Sequence, residues 1–496
     1  MADARLEESA STAPDDVQVI DQSLWVDNTA VTAGGDRHSP VDDSGTGAVF
    51  ALVRDCTSDD VDRAYASAAR AQADWAAVAV EERIRVVRDA VDILARTPGL
   101  AATISREVGT VSRAVSAIQV ELGLAAMTLT ADWAESVVGH AMTIGGSTVV
   151  REAVGVAGAI TPWNYPIFQV ALKATPAIVA GCSVVLKPPS VAPLTAFSIA
   201  RAFAEAGLPA GVLNLVTGPG SRIGALVAGH PGADIVSFTG SNATGRSVAV
   251  SAAAVGARTT MELGGKSAAV VLDASLAEEA AAHALSSTLS NNGQTCAALT
   301  RLIVPRSSLT RVEATLAAII GAQVVGDPRD PASTVGPLAS RSQQSSVLQA
   351  LDQARGQRGV TTLASVDTPL PEEGWYVPPT VLLAERPDVG VVQEELFGPV
   401  LTVQPYDDGD VNEALALANG TEFGLLARVW THDTAEFESA ARALRVGGVI
   451  QNGRPAVWDA PFGGVKSSGH GRERGPFGIE EYLVTKSLQP LAPAVP

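Results

Sequence analysis

The feature that most constrains this chain is an alternation of short β-branched runs with alanine-rich helical stretches, beginning near Val149. VGVAGAI (154–160), SVVLKP (183–188), VLNLVTG (212–218), ADIVSFTG (233–240) and AAVVL (268–272) read as buried strands. Helical segments separate them at 166–181, 193–206, 220–229 and 244–255. Strands that are apolar throughout need cover on both faces, and strand–helix alternation at this spacing implies parallel sheets. A second block follows Cys296, with TRLIVP (300–305), PTVLL (379–383), GPVLTVQPY (398–406) and VGGVIQNG (446–453). The reading is an α/β chain of two domains with parallel-rich sheets and a cleft between them. At 496 residues and 46% hydrophobic, the chain can bury cores for both.

The flanking segments differ. Residues 1–17 read as a loose polar tail. Apolar residues recur at helical spacing from about Val61 to Val120, as in Val61, Ala64 and Ala68, then Val86, Val87, Val91 and Leu94. In GHAMTIGGSTVVREA (139–153) two glycines between β-prone runs predict a hairpin, too isolated for either core and expected to pair elsewhere. The C-terminal LVTKSL predicts a short strand that could extend a neighbour's sheet by edge pairing. No tandem repeat or low-complexity stretch interrupts the pattern.

A net charge of −18 argues against a nucleic-acid partner, which would need clustered Lys and Arg. No metal-ligand spacing occurs, so no metal is expected. Three cysteines make no disulfide framework and fit a reducing cytoplasm. The N-terminus lacks the basic and apolar regions of a secretory signal, and no run of 18 apolar residues predicts a membrane span.

Three segments carry candidate chemistry. Cys296 lies in NNGQTCAAL, where Gly293 permits close backbone approach and Asn291, Asn292, Gln294 and Thr295 promise the polar, accessible setting that a thiolate needs. Cys56 and Cys182 are better explained as structural. Glu262, between Met261 and Leu263, is either an ordinary strand-end carboxylate or one whose apolar setting makes it a general base near neutral pH. In TPWNYPIF (161–168), Asn164 follows a strand directly, so its amide could donate to an oxyanion.

Together with KPP (187–189), AGLPAGVLNLVTG (206–218), FTGSNATG (238–245), EELFGPV (394–400) and PFGGVKSSGHGRE (461–473), these segments resemble the aldehyde dehydrogenase superfamily over residues 20–490. The resemblance implies a hydrolytic, non-CoA-acylating enzyme that oxidises an aldehyde to a carboxylic acid. Cys296 would form a thiohemiacetal and then a thioester. Asn164 and the Cys296 backbone N–H would hold the oxyanion, and Glu262 would activate Cys296, the deacylating water, or both. Lys173 and Glu473 match proton-relay positions, though ordinary salt-bridge roles remain open.

The implied cofactor is NAD or NADP. The segment FTGSNATG departs from G-x-G-x-x-G, yet Gly240, Ser241 and Gly245 at a helix N-terminus can hold a pyrophosphate. Lys187 resembles the lysine that contacts the adenosine ribose; Glu395 and Phe397 match positions at the nicotinamide ribose and ring. Ile160, Thr161, Trp163, Gly220 and Leu263 complete the implied cofactor set. Ser190 stands where NAD-preferring members carry a Glu that would repel a 2′-phosphate, so NADP should be accepted and its preference is open.

The implied aldehyde tunnel comprises Tyr165, Gln169, Leu172, Thr295, Ala297, Ala456, Val457 and Trp458, suited to a medium-sized aliphatic or aromatic aldehyde. Leu172 replaces an arginine found in succinate-semialdehyde members. Arg454 could substitute for it, which leaves a semialdehyde as the alternative substrate. A CoA-acylating enzyme and a non-catalytic structural or binding protein on the same fold are the rival readings.

The expected parts are a Rossmann-like cofactor domain (1–137 and 155–262), a catalytic domain (263–460), and a β oligomerisation arm (138–154 and 476–496). The resemblance implies a homodimer or homotetramer.

Overall fold

The computed structural model describes residues 17–489. The predicted tail up to residue 16, and residues 490–496 of the predicted arm, lie outside the described residues. Two large sheets dominate, as the alternation requires. In the first, five parallel strands run in the order Arg258–Glu262, Ile235–Thr239, Val156–Ile160, Ser183–Lys187, Leu213–Leu215. Antiparallel strands Leu24–Val26 and Thr29–Val31 extend one edge and Gly469–His470 the other. Chain order reverses beside Val156–Ile160, whose neighbours are the second and fourth strands of the series. The loops leaving Val156–Ile160 and Ile235–Thr239 therefore diverge to opposite faces and open a crevice at their C-terminal ends.

The second sheet has seven strands between Ala268 and Gln451, all parallel except the edge strand Val360–Ser365. Each predicted strand and helix of the two blocks is present, with ends shifted by one to a few residues.

The hairpin forms as predicted, from Met142–Ile144 and Ser147–Ala153, with Gly145 and Gly146 both at positive φ. Its partner is LVTKSL of the same chain. Leu483–Leu488 pairs antiparallel with Ser147–Ala153 over six residues and is the outer strand of the resulting three-stranded sheet, so one of its edges is taken up within the chain and, among the described residues, the other stays open. Val154 N–H donating to the Tyr482 carbonyl sets this register.

Helix Ser112–Val137 is long and apolar enough, by length and composition, to cross a membrane. Its apolarity is spread among polar residues, which is why no unbroken run marks it. It packs against helices Val80–Arg96 and Pro166–Ala180.

Candidate active site

The crevice at the strand reversal is a cleft of about 860 Å³. Pro162, Trp163 and Asn164 line it from one loop and Thr239, Gly240 and Ser241 from the other. The loop that leads into strand Val400–Tyr406 of the second sheet contributes Glu395, Leu396 and Phe397, and Cys296 lines the same cleft.

Cys296 follows three residues held at positive φ, Asn291 (50°), Asn292 (58°) and Gly293 (82°). A Cβ on Gly293 would lie 2.0 Å from the Gly398 carbonyl carbon, so only glycine fits. The polar neighbours of the thiol have a different task from the one expected. Asn291 donates to the Asn164 carbonyl at 2.8 Å and Asn292 to the Gly109 carbonyl at 2.8 Å. Gln294 donates to the Val108 carbonyl and accepts from Ala339 N–H. These side chains tie the strained loop to backbone groups of neighbouring segments and do not solvate the sulfur. Burial, then Glu395 and Glu262, push the Cys296 thiol up to about 12. Cys56 and Cys182 are buried and pushed up to about 11, so thiol acidity does not single out Cys296. Its position does, for it alone of the three reaches the cleft.

Glu262 ends strand Arg258–Glu262 and is 3% exposed. Neither carboxylate oxygen has a hydrogen-bond partner. Burial, then the Glu473 carboxylate, raise its pKa well above the usual range, against the pull of Lys173, Arg472 and Arg474. The two glycines after Leu263 have a steric reason. A Cβ on Gly264 would meet Glu395 Oε2 at 2.4 Å, and one on Gly265 would meet the Cys296 carbonyl oxygen at 2.4 Å. The MELGG segment thus brings Glu262 close to the cysteine loop.

Asn164 is buried, and its Nδ2 donates to the Gln294 carbonyl at 2.9 Å. A side-chain amide has two N–H donors, so one remains while the other fixes the rotamer. Lys173 Nζ bonds Glu473 Oε1 at 2.8 Å and Ser237 Oγ at 3.3 Å, all buried. The salt-bridge geometry and a position near Glu262 coexist in this pair.

Of the predicted cofactor residues, Trp163, Gly240, Ser241, Leu263, Glu395 and Phe397 border the cleft. Trp163 and Phe397 meet edge to face, 5.4 Å between centroids. Ser241 caps helix Asn242–Ala254, accepting from Thr244 N–H. Gly245 lies against Leu263, whose Cδ2 a Cβ would approach to 2.4 Å. Glu395 accepts from Gly265 N–H at 2.8 Å, and burial raises its carboxyl to about 7. Lys187, Ser190 and Gly220 do not border the cleft; they cluster past the ends of neighbouring strands. Lys187 is buried without a bonded partner, which pushes its pKa down to about 8. Ile160 ends its strand, and the buried hydroxyls of Thr161 and Thr239 lack partners. These groups could hold a dinucleotide. Among the described residues, no group of three or more His, Cys, Asp or Glu is placed to hold a metal ion.

The predicted tunnel residues divide. Tyr165 donates to or accepts from Thr295 at 2.6 Å, and Gln169 is buried with its Oε1 unpaired. Ala297 is half-buried beside Cys296. Leu172 and Trp458 line a separate apolar cavity of about 430 Å³, with Phe168 and helix Leu122–Val137. Ala456 and Val457 border neither cavity, and Val457 is 69% exposed. Arg454 is exposed as well. Two residues had no sequence signal. Gln343 holds the loop of Phe397 by donating to the Leu396 and Phe397 carbonyls. Arg474, directly after Glu473, points into the apolar cavity wall.

Fold and site together define an α/β protein with a dinucleotide-type crevice and a cysteine, an amide and an unpaired carboxylate gathered at it. The aldehyde dehydrogenase family model matches residues 30–488. A 3-succinoylsemialdehyde-pyridine dehydrogenase from a Pseudomonas species is 36% identical, and a geranial dehydrogenase from Castellaniella defragrans 37%; each match covers 94% of this chain and 98% of the relative. The crystal structure of a cysteine-to-alanine mutant of aldehyde dehydrogenase C from Pseudomonas syringae, in complex with NAD+ and octanal, superposes with a TM-score of 0.92 at 37% identity, covering 98% of this chain and 99% of that one. This chain belongs to the aldehyde dehydrogenase family and is an oxidoreductase acting on the aldehyde group.

Proposed function

We propose that the chain oxidises a medium-sized aliphatic or aromatic aldehyde to its carboxylic acid, with NAD or NADP as acceptor and water as the final nucleophile. The observation that carries this reading is Glu262, a buried carboxyl with no donor to either oxygen, held beside the cysteine loop. A purely structural carboxylate would be paired; an unpaired one with a raised pKa is suited to take a proton near neutral pH.

In this reading Cys296 loses its proton to Glu262 and its sulfur adds to the aldehyde carbon. The free Asn164 amide N–H and the Cys296 backbone N–H hold the oxygen that gains charge. A bound nicotinamide supplies the hydride acceptor that turns the thiohemiacetal into a thioester. Once the proton taken from Cys296 has left for solvent, Glu262 takes a proton from water, whose oxygen attacks the thioester carbonyl; the acid is released and Glu262 returns that proton to the departing sulfur. Lys173 and Glu473 position and buffer Glu262. The N-terminus of helix Asn242–Ala254 would hold the pyrophosphate, Lys187 the adenosine ribose and Glu395 the nicotinamide ribose. Ser190 removes a like-charge clash of order 1–3 kcal/mol with a 2′-phosphate, so NADP is accepted.

Residues 1–137 and 155–262 would form the cofactor domain and 263–460 the catalytic domain. Residues 138–154 and 476–496 would form the arm of a homodimer or homotetramer, and three free cysteines suit the cytoplasm. Absorbance at 340 nm with NAD or NADP and a panel of aldehydes tests the reading. Turnover that Cys296→Ser abolishes supports it; cofactor binding without turnover of any aldehyde would favour a binding or structural role.

A further inference from the structure

The cavity of about 430 Å³ has one charged residue among those lining it, Arg474. Three rings surround the guanidinium. Its carbon lies 4.3 Å from the Phe462 centroid, 4.4 Å from Trp458 and 5.6 Å from Phe168. Rings take up the faces of a guanidinium and leave its edge of N–H donors for in-plane acceptors. Those donors have no acceptor. Nε is buried and unpaired, and among the described residues Arg474 makes no side-chain hydrogen bond or ion pair. A half-buried cation without a bonded counter-ion carries a desolvation cost.

The backbone adds to that cost. Arg474 has φ 73° and ψ 156°, a region almost reserved for glycine. Strain of this kind persists where the surroundings dictate a side-chain direction, and here it directs the guanidinium into the cavity wall. The cavity adjoins the reacting centre. Phe168 packs edge to face with Tyr165, whose hydroxyl bonds Thr295 beside Cys296. Arg474 is also near enough to Cys296 and Glu262 for its charge to lower the pKa of each. Glu473, the residue before it, is already paired with Lys173 and leaves the Arg474 edge free.

We propose that Arg474 is a specificity-determining residue that binds a carboxylate on the aldehyde substrate, through the free edge of a guanidinium clamped by Trp458, Phe462 and Phe168. The preferred substrates are then aldehydes with an apolar body and a distal carboxylate. This rests on the aldehyde oxidation set out above and selects its substrate class. It gives Arg474 the task that neither Leu172 nor the exposed Arg454 can perform.

The test compares matched aldehydes, 4-carboxybenzaldehyde against 4-methylbenzaldehyde and 5-oxopentanoate against hexanal, in wild type, Arg474→Met and Arg474→Lys. Wild type should favour the carboxylate of each pair by at least about tenfold in kcat/KM. Arg474→Met should lose about 100-fold more on the carboxylates than on the neutral partners, the difference lying mainly in KM. Arg474→Lys should recover part of the loss. Wild type that prefers the neutral aldehydes overturns the proposal without any variant. So does an Arg474→Met enzyme that loses equally on both members. If wild type oxidises no aldehyde, the oxidation itself falls and this inference with it; good turnover of neutral aldehydes alone removes only the inference.

Discussion

Gly293→Ala probes the loop that presents Cys296, and Gly409→Ala supplies its control. Both glycines have φ 82°, but nothing lies within 4 Å of a Cβ on Gly409, whereas one on Gly293 would overlap the Gly398 carbonyl at 2.0 to 2.2 Å. Gly409→Ala carries only the left-handed backbone penalty, about 1–2 kcal/mol. Gly293→Ala carries that penalty plus an overpacking cost of about 1–3 kcal/mol, about 2–5 kcal/mol together. A stability of order 5–15 kcal/mol leaves it largely folded. Relief of the overlap must shift the loop, and a displacement of about 1 Å at the nucleophile costs on the order of 100-fold in rate. Urea denaturation and kcat/KM measured on both variants check this. Equal stability of the two, with wild-type activity in Gly293→Ala, would refute the close-packing argument.

Ser190→Glu should restore the like-charge clash and lower kcat/KM for NADP at least about tenfold while sparing NAD; wild-type kcat/KM for NADP already tenfold below NAD would contradict the assigned role of Ser190. Lys173→Met leaves Glu473 buried and unpaired, so it should destabilise the fold by about 3–5 kcal/mol in chemical denaturation. An unchanged midpoint would mean that water reaches the pair. The reactive forms of Glu262 and Cys296 are the deprotonated ones, and burial raises both pKa values. Activity should therefore rise with pH across the neutral range, and a limb with a midpoint near the ordinary carboxylate value of about 4.3 would argue against Glu262 as the base.

What the sequence disclosed was local. Apolar runs announced the strands, and the paired glycines at 145 and 146 announced the hairpin, because both signals depend on a few adjacent residues. Cys296, Glu262 and Asn164 were legible as candidates because each sits at a sharp chain reversal or strand end with its own short motif. What stayed hidden depends on partners far along the chain. Asn291, Asn292 and Gln294 looked like a polar setting for a thiol, yet their acceptors are carbonyls up to 186 residues away. The partner of LVTKSL lies about 330 residues upstream. Arg474 could not be read because its side-chain direction follows from a backbone conformation that local sequence does not announce, and its cage draws on Phe168 as well as Trp458 and Phe462.

In the proposed mechanism Cys296 forms a thioester that is hydrolysed with Glu262 as base. The most direct measurement is the intact mass of Glu262→Gln after mixing with NAD or NADP and an aldehyde that wild type oxidises. One burst of reduced cofactor is expected, with a protein heavier by the aldehyde less two hydrogens, an adduct absent from Cys296→Ser. Steady turnover by Glu262→Gln at the wild-type rate, with no adduct, would contradict that mechanism.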